Sequence, residues 1–359
     1  MFDQKKRIKN VVQIILIVLF LTVSLFPVLS MVFVGEAQAS ANEILAAKPQ
    51  LFKRDGRFNV KVLNDLSDFV ADRFAFRKEL VTAWARLNAE IFRSSAEEQV
   101  VLGTDDWLYY TPTLDDYMGR SMSPEELERT AAFLLSLQRD AESRGARFLF
   151  TIAPNKNSLY ADNMPAHIPA DHDRSNAVCL KPYLELYGVN YVDLFSVFSE
   201  RGERLYYVSD SHWTDRGAAL AADTLLAAAG IDTAYFDGPF SAGEPHRGDL
   251  YEMLYPTGEG REAGESYAPG FAYTLSGDSN GGNAMKIHSS CEGREGVLLC
   301  WRDSFGISLY PYLADSFSEA SFLRSTDYAP SLIEETGADV VLLEIVERNL
   351  PTLARGGTP

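Results

Sequence analysis

Gly296-Val297-Leu298-Leu299-Cys300-Trp301-Arg302-Asp303-Ser304-Phe305-Gly306 reads as a buried strand that breaks into a polar elbow and then into a helix. An apolar run without alternation is what a strand covered on both faces requires. The helix is expected over about residues 305–314. A serine at such a junction sits at a helix N-terminus, where backbone N–H groups are unpaired and the dipole is positive, so those groups can steady an oxyanion. Asp303 and Ser304 are also favoured N-caps, and capping alone would account for them.

Working outward, further apolar strands are expected at residues 147–152 (stopped by Pro154), 189–194, 320–323 and 339–346. Helices fall between them. Ser123-Pro124-Glu125-Glu126 is a capping box with proline at the first helical position, and its helix should run to about Ser143. Residues 214–229 form an alanine- and leucine-rich helix closed by Gly230, and residues 331–335 a short one. Strands alternating with helices imply parallel pairing and a layered α/β sheet. Residues 100–103 and 107–110 read as a hairpin turned by Thr104-Asp105-Asp106. Residues 58–93 are helical, with Leu63, Leu66, Phe69 and Val70 as one periodic set and Leu80, Trp84, Leu87 and Ile91 as a second. Residues 231–295, rich in Gly, Pro, Ser and Glu, read as a loop-rich surface excursion.

The chain has 359 residues, 46% of them hydrophobic, which is ample for a core and excludes wholesale disorder. Lys5, Lys6, Arg7 and Lys9 precede an uncharged stretch over residues 11–34, long enough to cross a bilayer. The basic cluster should stay in the cytoplasm, which puts everything after Gly35 outside. Ala37-Gln38-Ala39 has the small-x-small form of a signal-peptidase site, but the apolar run exceeds the usual signal core, which favours an uncleaved anchor. The expected division is therefore 1–35 basic tip and anchor (or signal peptide), 36–95 tether and juxtadomain helices, and 96–359 the main domain. Localisation follows: a single-pass membrane protein with its domain extracytoplasmic, or a secreted one if the signal is cut.

Residues 41–359 carry 29 basic and 48 acidic residues, net −19, which argues against a nucleic-acid surface. Cys291 and Cys300 could pair in an oxidising compartment, or all three cysteines are buried thiols. The histidines are scattered, with no C-x-x-C, H-E-x-x-H or phosphate-loop motif, so neither a metal site nor a cofactor is expected.

Three polar clusters fall at strand ends, where open α/β sheets bind ligands. One is the serine elbow. A second is Asp210-Ser211-His212-Trp213: residues two apart in extended chain share a side, so Asp210 and His212 can face one pocket, with the carboxylate fixing the imidazole tautomer. A capping Asp210 or Thr214 beside a structural histidine is the plain alternative. The third is Ala153-Pro154-Asn155-Lys156-Asn157, where Asn155 and Lys156 can donate to a carbonyl or an anion, or form a solvated turn. Gly277-Asp278-Ser279-Asn280 spells the Gly-Asp-Ser signature of a serine-esterase superfamily, but Gly281, Gly282 and Asn283 follow it where a helix should, so Ser304 is the better nucleophile. Arg247-Gly248-Asp249 reads as a turn rather than an adhesion motif.

Taken in order, these pieces resemble the DHHW proteins and their relatives, the alginate O-acetylation proteins of the AlgJ and AlgX type. The resemblance runs from the basic anchor to near the C-terminus. Asp72-Arg73-Phe74-Ala75-Phe76-Arg77 resembles the family's early D-x-F-x-x-R segment, and Val101-Leu102-Gly103 with Trp107-Leu108-Tyr109 its glycine-tryptophan-leucine hairpin. Pro154-Asn155-Lys156 with Ser158 and Tyr160 resembles its P-x-K segment. Asp210-Ser211-His212-Trp213 is similar to its Asp-x-His-Trp motif and Arg302–Gly306 to its serine elbow.

The resemblance implies an SGNH-hydrolase-like fold and a triad in which Asp210 orients, His212 is the base and Ser304 the nucleophile. It puts Tyr310 where AlgX-type proteins have a site tyrosine, and makes Asn155, Lys156, Trp213 and Arg302 candidates for substrate or oxyanion contacts. It further implies an extracytoplasmic O-acetyltransferase for a cell-surface or exported polysaccharide, with a membrane-bound O-acyltransferase supplying acetyl. A carbohydrate acetylesterase of the same mechanism, or a non-catalytic glycan-binding scaffold, are the alternatives. Ser211 stands where the DHHW name has histidine and is expected to point away from the pocket. Arg302 replaces the glycine that precedes Asp-Ser in related esterases. No segment of these 359 residues is long enough for the carbohydrate-binding module of AlgX-type proteins, so glycan gripping is expected of the main domain.

Overall fold

The computed structural model describes residues 2–39, 45–120, 122–276 and 282–356. The chain divides into two compact units, Met1–Ala96 with Leu254–Glu259, and Glu97–Met253 with Gly260–Pro359.

In the first unit, helix α1 (Phe2–Phe33) contains Lys9–Phe33, a segment long and apolar enough to cross a membrane. Pro27 lies inside this helix. The helical period of residues 58–93 resolves into two helices, α2 (Val62–Arg73) and α3 (Arg77–Leu87), and α3 ends in a π-helical turn over Asn88–Phe92. The strand-like bridge Phe52–Phe58 precedes them.

The second unit is built on a seven-stranded sheet. Its strands are β3 (Arg147–Ala153), β4 (Tyr191–Val192), β7 (Thr274–Ser276), β8 (Lys286–Ser290), β9 (Val297–Trp301), β10 (Glu319–Leu323) and β11 (Val340–Val346), in the order β4-β3-β11-β9-β10-β8-β7. The five from β4 to β10 are parallel, and β8 and β7 add on antiparallel. Two hairpins lie outside this sheet, β1 (Val100–Leu102) with β2 (Leu108–Tyr110), and β5 (Phe240–Ala242) with β6 (Glu265–Tyr267). The β1–β2 turn takes positive φ at Asp105 and Asp106, a conformation short polar side chains tolerate.

Alternate residues of the parallel strands feed opposite cores, as a period of two requires. Leu298, Cys300, Leu342 and Leu149 pack on helices Asp215–Ala229 and Gly306–Ala314. Leu299, Trp301, Leu343 and Phe150 pack on helices Pro124–Ser143 and Asn176–Tyr187. Covered on both faces, the central strands can be apolar throughout, which is why β9 and β11 read so clearly. The capping box at Ser123 and Glu126 forms as expected. All three cysteines are free, so Cys291 and Cys300 do not pair.

Residues 231–295 are more than a loop-rich excursion. They supply the β5–β6 hairpin, helix Asp249–Leu254 and both antiparallel strands of the main sheet. These strands are three to five residues long and largely exposed or polar, so they carry no apolar run for a sequence reading to find. Residues 277–280, with Ser279, lie outside the described residues.

Candidate active site

The elbow leaves the carboxyl end of β9 and enters helix Gly306–Ala314. Neither Asp303 nor Ser304 caps this helix, whose N-cap is Phe305 without a side-chain cap. Asp303 holds the elbow instead, its Oδ1 accepting from Phe305 N at 2.9 Å and its Oδ2 from Val346 N at 2.7 Å, which ties the elbow to the end of β11. Asp303 N donates to Glu344, whose buried carboxyl is pushed well above its usual range by desolvation and by the Asp303 charge. Gly306 rests on the aliphatic stem of Arg302, where a Cβ would collide with that side chain. The Ser304 hydroxyl does no capping and meets another partner.

That partner is His212. Its Nε2 lies 2.8 Å from Ser304 Oγ, and its Nδ1 lies 2.7 Å from Asp210 Oδ1. The two ring nitrogens thus face a carboxylate and a hydroxyl, which selects the tautomer with the proton on Nδ1 and leaves Nε2 as acceptor. The ring packs on Phe305, centroids 4.8 Å apart. Ser304 and the His212 side chain remain partly exposed, while Asp210 is buried.

Asp210 makes four contacts through its two oxygens. Oδ1 accepts from His212 N at 2.9 Å as well as meeting Nδ1; Oδ2 accepts from Asp249 N at 3.0 Å and meets His246 Nε2 at 2.8 Å. Burial pushes this carboxyl up, but the two imidazoles outweigh it and hold Asp210 well below the usual carboxylate range. Burial pushes His212 down, and the charge and hydrogen bond of Asp210, with Asp249 adding, raise it above an ordinary histidine on balance. Asp249 is raised by burial and by Asp210. Asp210, His212 and Asp249 bring ligand-type atoms within 4.8 Å of one another, which is where a cation would fit, but every one of these side chains is already hydrogen-bonded.

Several of these partners escaped the sequence reading. His246 stacks on Tyr207, centroids 3.8 Å apart. Asp249 accepts from Ser211 N at 2.8 Å and Ser211 Oγ at 2.6 Å, and its Oδ2 lies 3.6 Å from His212 Nδ1. Ser211 therefore does not point away: it is buried, and its Oγ is 3.3 Å from His212 Nδ1. The Arg247-Gly248-Asp249 turn is an internal brace, because a Cβ at Gly248 would collide with the Ser209 carbonyl. Glu262 completes the support by accepting from Val208 N at 2.9 Å and Ser209 N at 2.7 Å.

The remaining expected ligand contacts divide. Lys156 is buried and turned inward, donating through Nζ to the carbonyls of Tyr207, Val208 and Asp210. Burial pushes its pKa down to about 7. Trp213 is in the core, with Nε1 donating to Ser308 at 2.9 Å and its ring edge-on to Phe305. Arg302 is buried and donates to the carbonyls of Gly282, Ala284 and Asp303. Tyr310 packs edge-on to Tyr273 and Phe322. All four make contacts that brace the site, and Arg302 also lines an open cleft beside it. Asn155 differs. It is 1% exposed, its backbone N–H donates to Glu347 at 2.9 Å, and its side-chain amide has no hydrogen-bond partner among the described residues. The open cleft, of about 480 Å³, is lined by Arg302, Asp303, Arg324, Thr326, Tyr328 and Asn349.

Comparison with known proteins adds the following. Residues 100–275 match the SGNH hydrolase-like domain, acetyltransferase AlgX. The "Probable alginate O-acetylase AlgJ" of Pseudomonas syringae pv. tomato is 30% identical over 165 residues, covering 44% of this chain and 40% of that protein. The chain spans less than half the length of the curated relatives it matches. Among solved structures, Bacillus cereus PatB1 with a sulfonyl adduct superimposes with a TM-score of 0.56 at 18% identity, over 70% of this chain and 95% of that one. A DHHW family protein from Eubacterium siraeum gives 0.50 at 16% identity, over 64% and 88%. These two likenesses establish the fold. The match over residues 100–275 makes this part of the chain similar to an SGNH hydrolase-like acetyltransferase domain of the AlgX type.

Proposed function

We propose that the protein is an extracytoplasmic O-acetyltransferase that moves acetyl groups onto a cell-surface or exported polysaccharide through an acetyl-Ser304 intermediate. The observation that carries this reading is the unbroken hydrogen-bonded chain from Ser304 Oγ through His212 to Asp210. His212 Nε2 takes the Ser304 proton as Oγ attacks the carbonyl of an acetyl ester. The imidazolium is held by Asp210 and returns that proton to the departing donor oxygen. A sugar hydroxyl then gives its proton to Nε2 and attacks acetyl-Ser304, and Ser304 recovers its proton as it leaves. The Asn155 amide is reserved for the oxyanion: a buried amide with no partner costs about 1–3 kcal/mol, and a developing negative charge supplies the acceptor it lacks. The cleft beside Asp303, with its arginine, aromatic and hydroxyl groups, suits a sugar acceptor. A membrane-bound O-acyltransferase is the acetyl source this reading calls for, and the apolar segment Lys9–Phe33 serves as anchor.

A second reading rests on the exposure of the pair. Ser304 and His212 are open enough for water to replace the sugar, which would make the protein an acetylesterase. A chromogenic acetyl ester, offered with and without a polysaccharide acceptor, separates the two. Transfer predicts acetylated glycan and an acetyl adduct on the Ser304 peptide by mass spectrometry. Ser304→Ala should abolish both while circular dichroism stays unchanged, and undiminished turnover in that variant would overturn the assignment.

A further inference from the structure

Helix α3 has two unlike faces. Thr82 and Ala85 are buried, and Thr257 N and Oγ1 meet Thr82 Oγ1 at 3.1 and 3.0 Å. On the opposite face, Leu80, Trp84, Leu87 and Ile91 recur at the helical period and are all exposed, Trp84 at 59%. Leu63 and Leu66 extend the exposed apolar surface along α2. So long a stripe left in water is costly, and something must cover it.

The contacts of α1 identify the cover. Phe76, at the start of α3, stacks on Phe26, centroids 5.8 Å apart. Ala75 N donates to Ser30 Oγ at 3.2 Å, and Ala37 N to the Arg73 carbonyl at 2.9 Å. Phe26 lies seven residues before Phe33, the outer end of the apolar segment, so it sits about 10 Å below that end at ~1.5 Å per residue. The segment's 25 residues exceed what a hydrocarbon core of about 30 Å needs. The junction of α2 and α3 is thus pinned to α1 at the level of the lipid boundary, the depth of about 5–10 Å at which amphipathic helices settle into an interface.

We propose that α2 and α3 lie in the outer leaflet of the membrane that α1 crosses, with the Leu80–Trp84–Leu87–Ile91 stripe in the acyl-chain boundary. This rests on the reading of α1 as an anchor. The contact proposed is apolar, because Leu80, Trp84, Leu87 and Ile91 carry no charge; residues 41–96 hold ten basic and seven acidic residues, net +3, so an anionic headgroup layer would not repel them.

Trp84 provides the probe, since Trp107, Trp213 and Trp301 are buried at 9%, 1% and 1% exposure. Full-length protein is placed in phosphatidylcholine vesicles whose acyl chains are brominated near the headgroup. The Trp84 share of the fluorescence should be quenched, and Trp84→Phe should remove that quenched component. No quenching in the wild-type chain, or equal quenching in Trp84→Phe, overturns the proposal and leaves the stripe to a protein partner. Intact mass reports separately whether residues 1–39 are retained. A retained anchor without quenching sinks this proposal alone. A cleaved chain sinks the anchor reading, and quenching still decides the fate of the stripe.

Discussion

Asp210 is shared with His246 as fully as with His212: one imidazole meets Oδ1 at 2.7 Å and the other meets Oδ2 at 2.8 Å. His246 reaches the chemistry only through that carboxylate, which makes it a positioning residue. His246→Ala should lower kcat for acetyl-ester turnover by about 10- to 100-fold, the equivalent of one hydrogen bond to a charged group. KM should stay unchanged, and His246→Gln, which restores a donor, should recover most of the loss. A change confined to KM would contradict this.

The raised pKa of His212 sets the pH dependence. Only the neutral imidazole can accept the Ser304 proton, so the rate falls as pH falls through the imidazole's own value. That inflection should therefore lie above the ordinary histidine value of about 6.5. In Asp210→Asn the supporting charge is gone and burial then dominates, so the inflection should move to lower pH. The rate should drop on the order of 10⁴-fold as the tautomer is lost. A pH–rate profile of each protein checks both statements, and an unmoved inflection would contradict the assignment.

Asn155 trades stability for chemistry under the proposed mechanism. Asn155→Ala removes an unpartnered buried amide, so the melting temperature should hold or rise, while turnover falls by about 10²–10³ as an oxyanion donor is lost. A lower melting temperature with intact turnover would assign the amide a structural role instead.

Lys156 holds the carbonyls of Tyr207, Val208 and Asp210 in one place, and so fixes the loop that presents Asp210 and His212. Lys156→Met leaves three buried acceptors without their donor. A loss of about 3 kcal/mol is expected, which is roughly 6–12 °C in Tm for a domain of this size. Thermal unfolding followed by near-ultraviolet dichroism measures it, and an unchanged Tm would show the loop to be held by Glu262, Asp249 and His246 without the lysine.

The parts of this molecule legible in its sequence are those decided locally. A strand covered on both faces must be apolar, so β9 and β11 stand out, and Ser123 with Glu126 declares its helix start. The Asp210–His212 pairing is legible, but not its geometry: residues 208–212 are bent rather than extended, Asp210 Oδ1 accepting from His212 N, so Ser211 turns inward instead of away. Orientation of a polar side chain at a strand end is not local. Lys156 and Arg302 could equally face a ligand, and the surrounding carbonyls that turn them inward lie 18–54 residues away. His246 and Asp249 were hidden for the same reason: they meet Asp210 from 36 and 39 residues along the chain, within a segment whose short polar strands give no periodic signal.

Strand order also has a bearing on how the protein could be inactivated or rebuilt. β3, β4 and the Asp210–His212 loop come before residue 231, and β7 through β11 with Ser304 come after residue 239. A nick in that interval would divide acid and base from nucleophile into separate polypeptides without removing any of them. Within the sheet the two halves would then meet at the register of β3 against β11, Arg147 beside Val340 through Ala153 beside Val346. The helices of the first half would still cover Leu298, Leu299, Cys300 and Trp301 of the second, so reassembly would combine strand pairing with repacking of both cores.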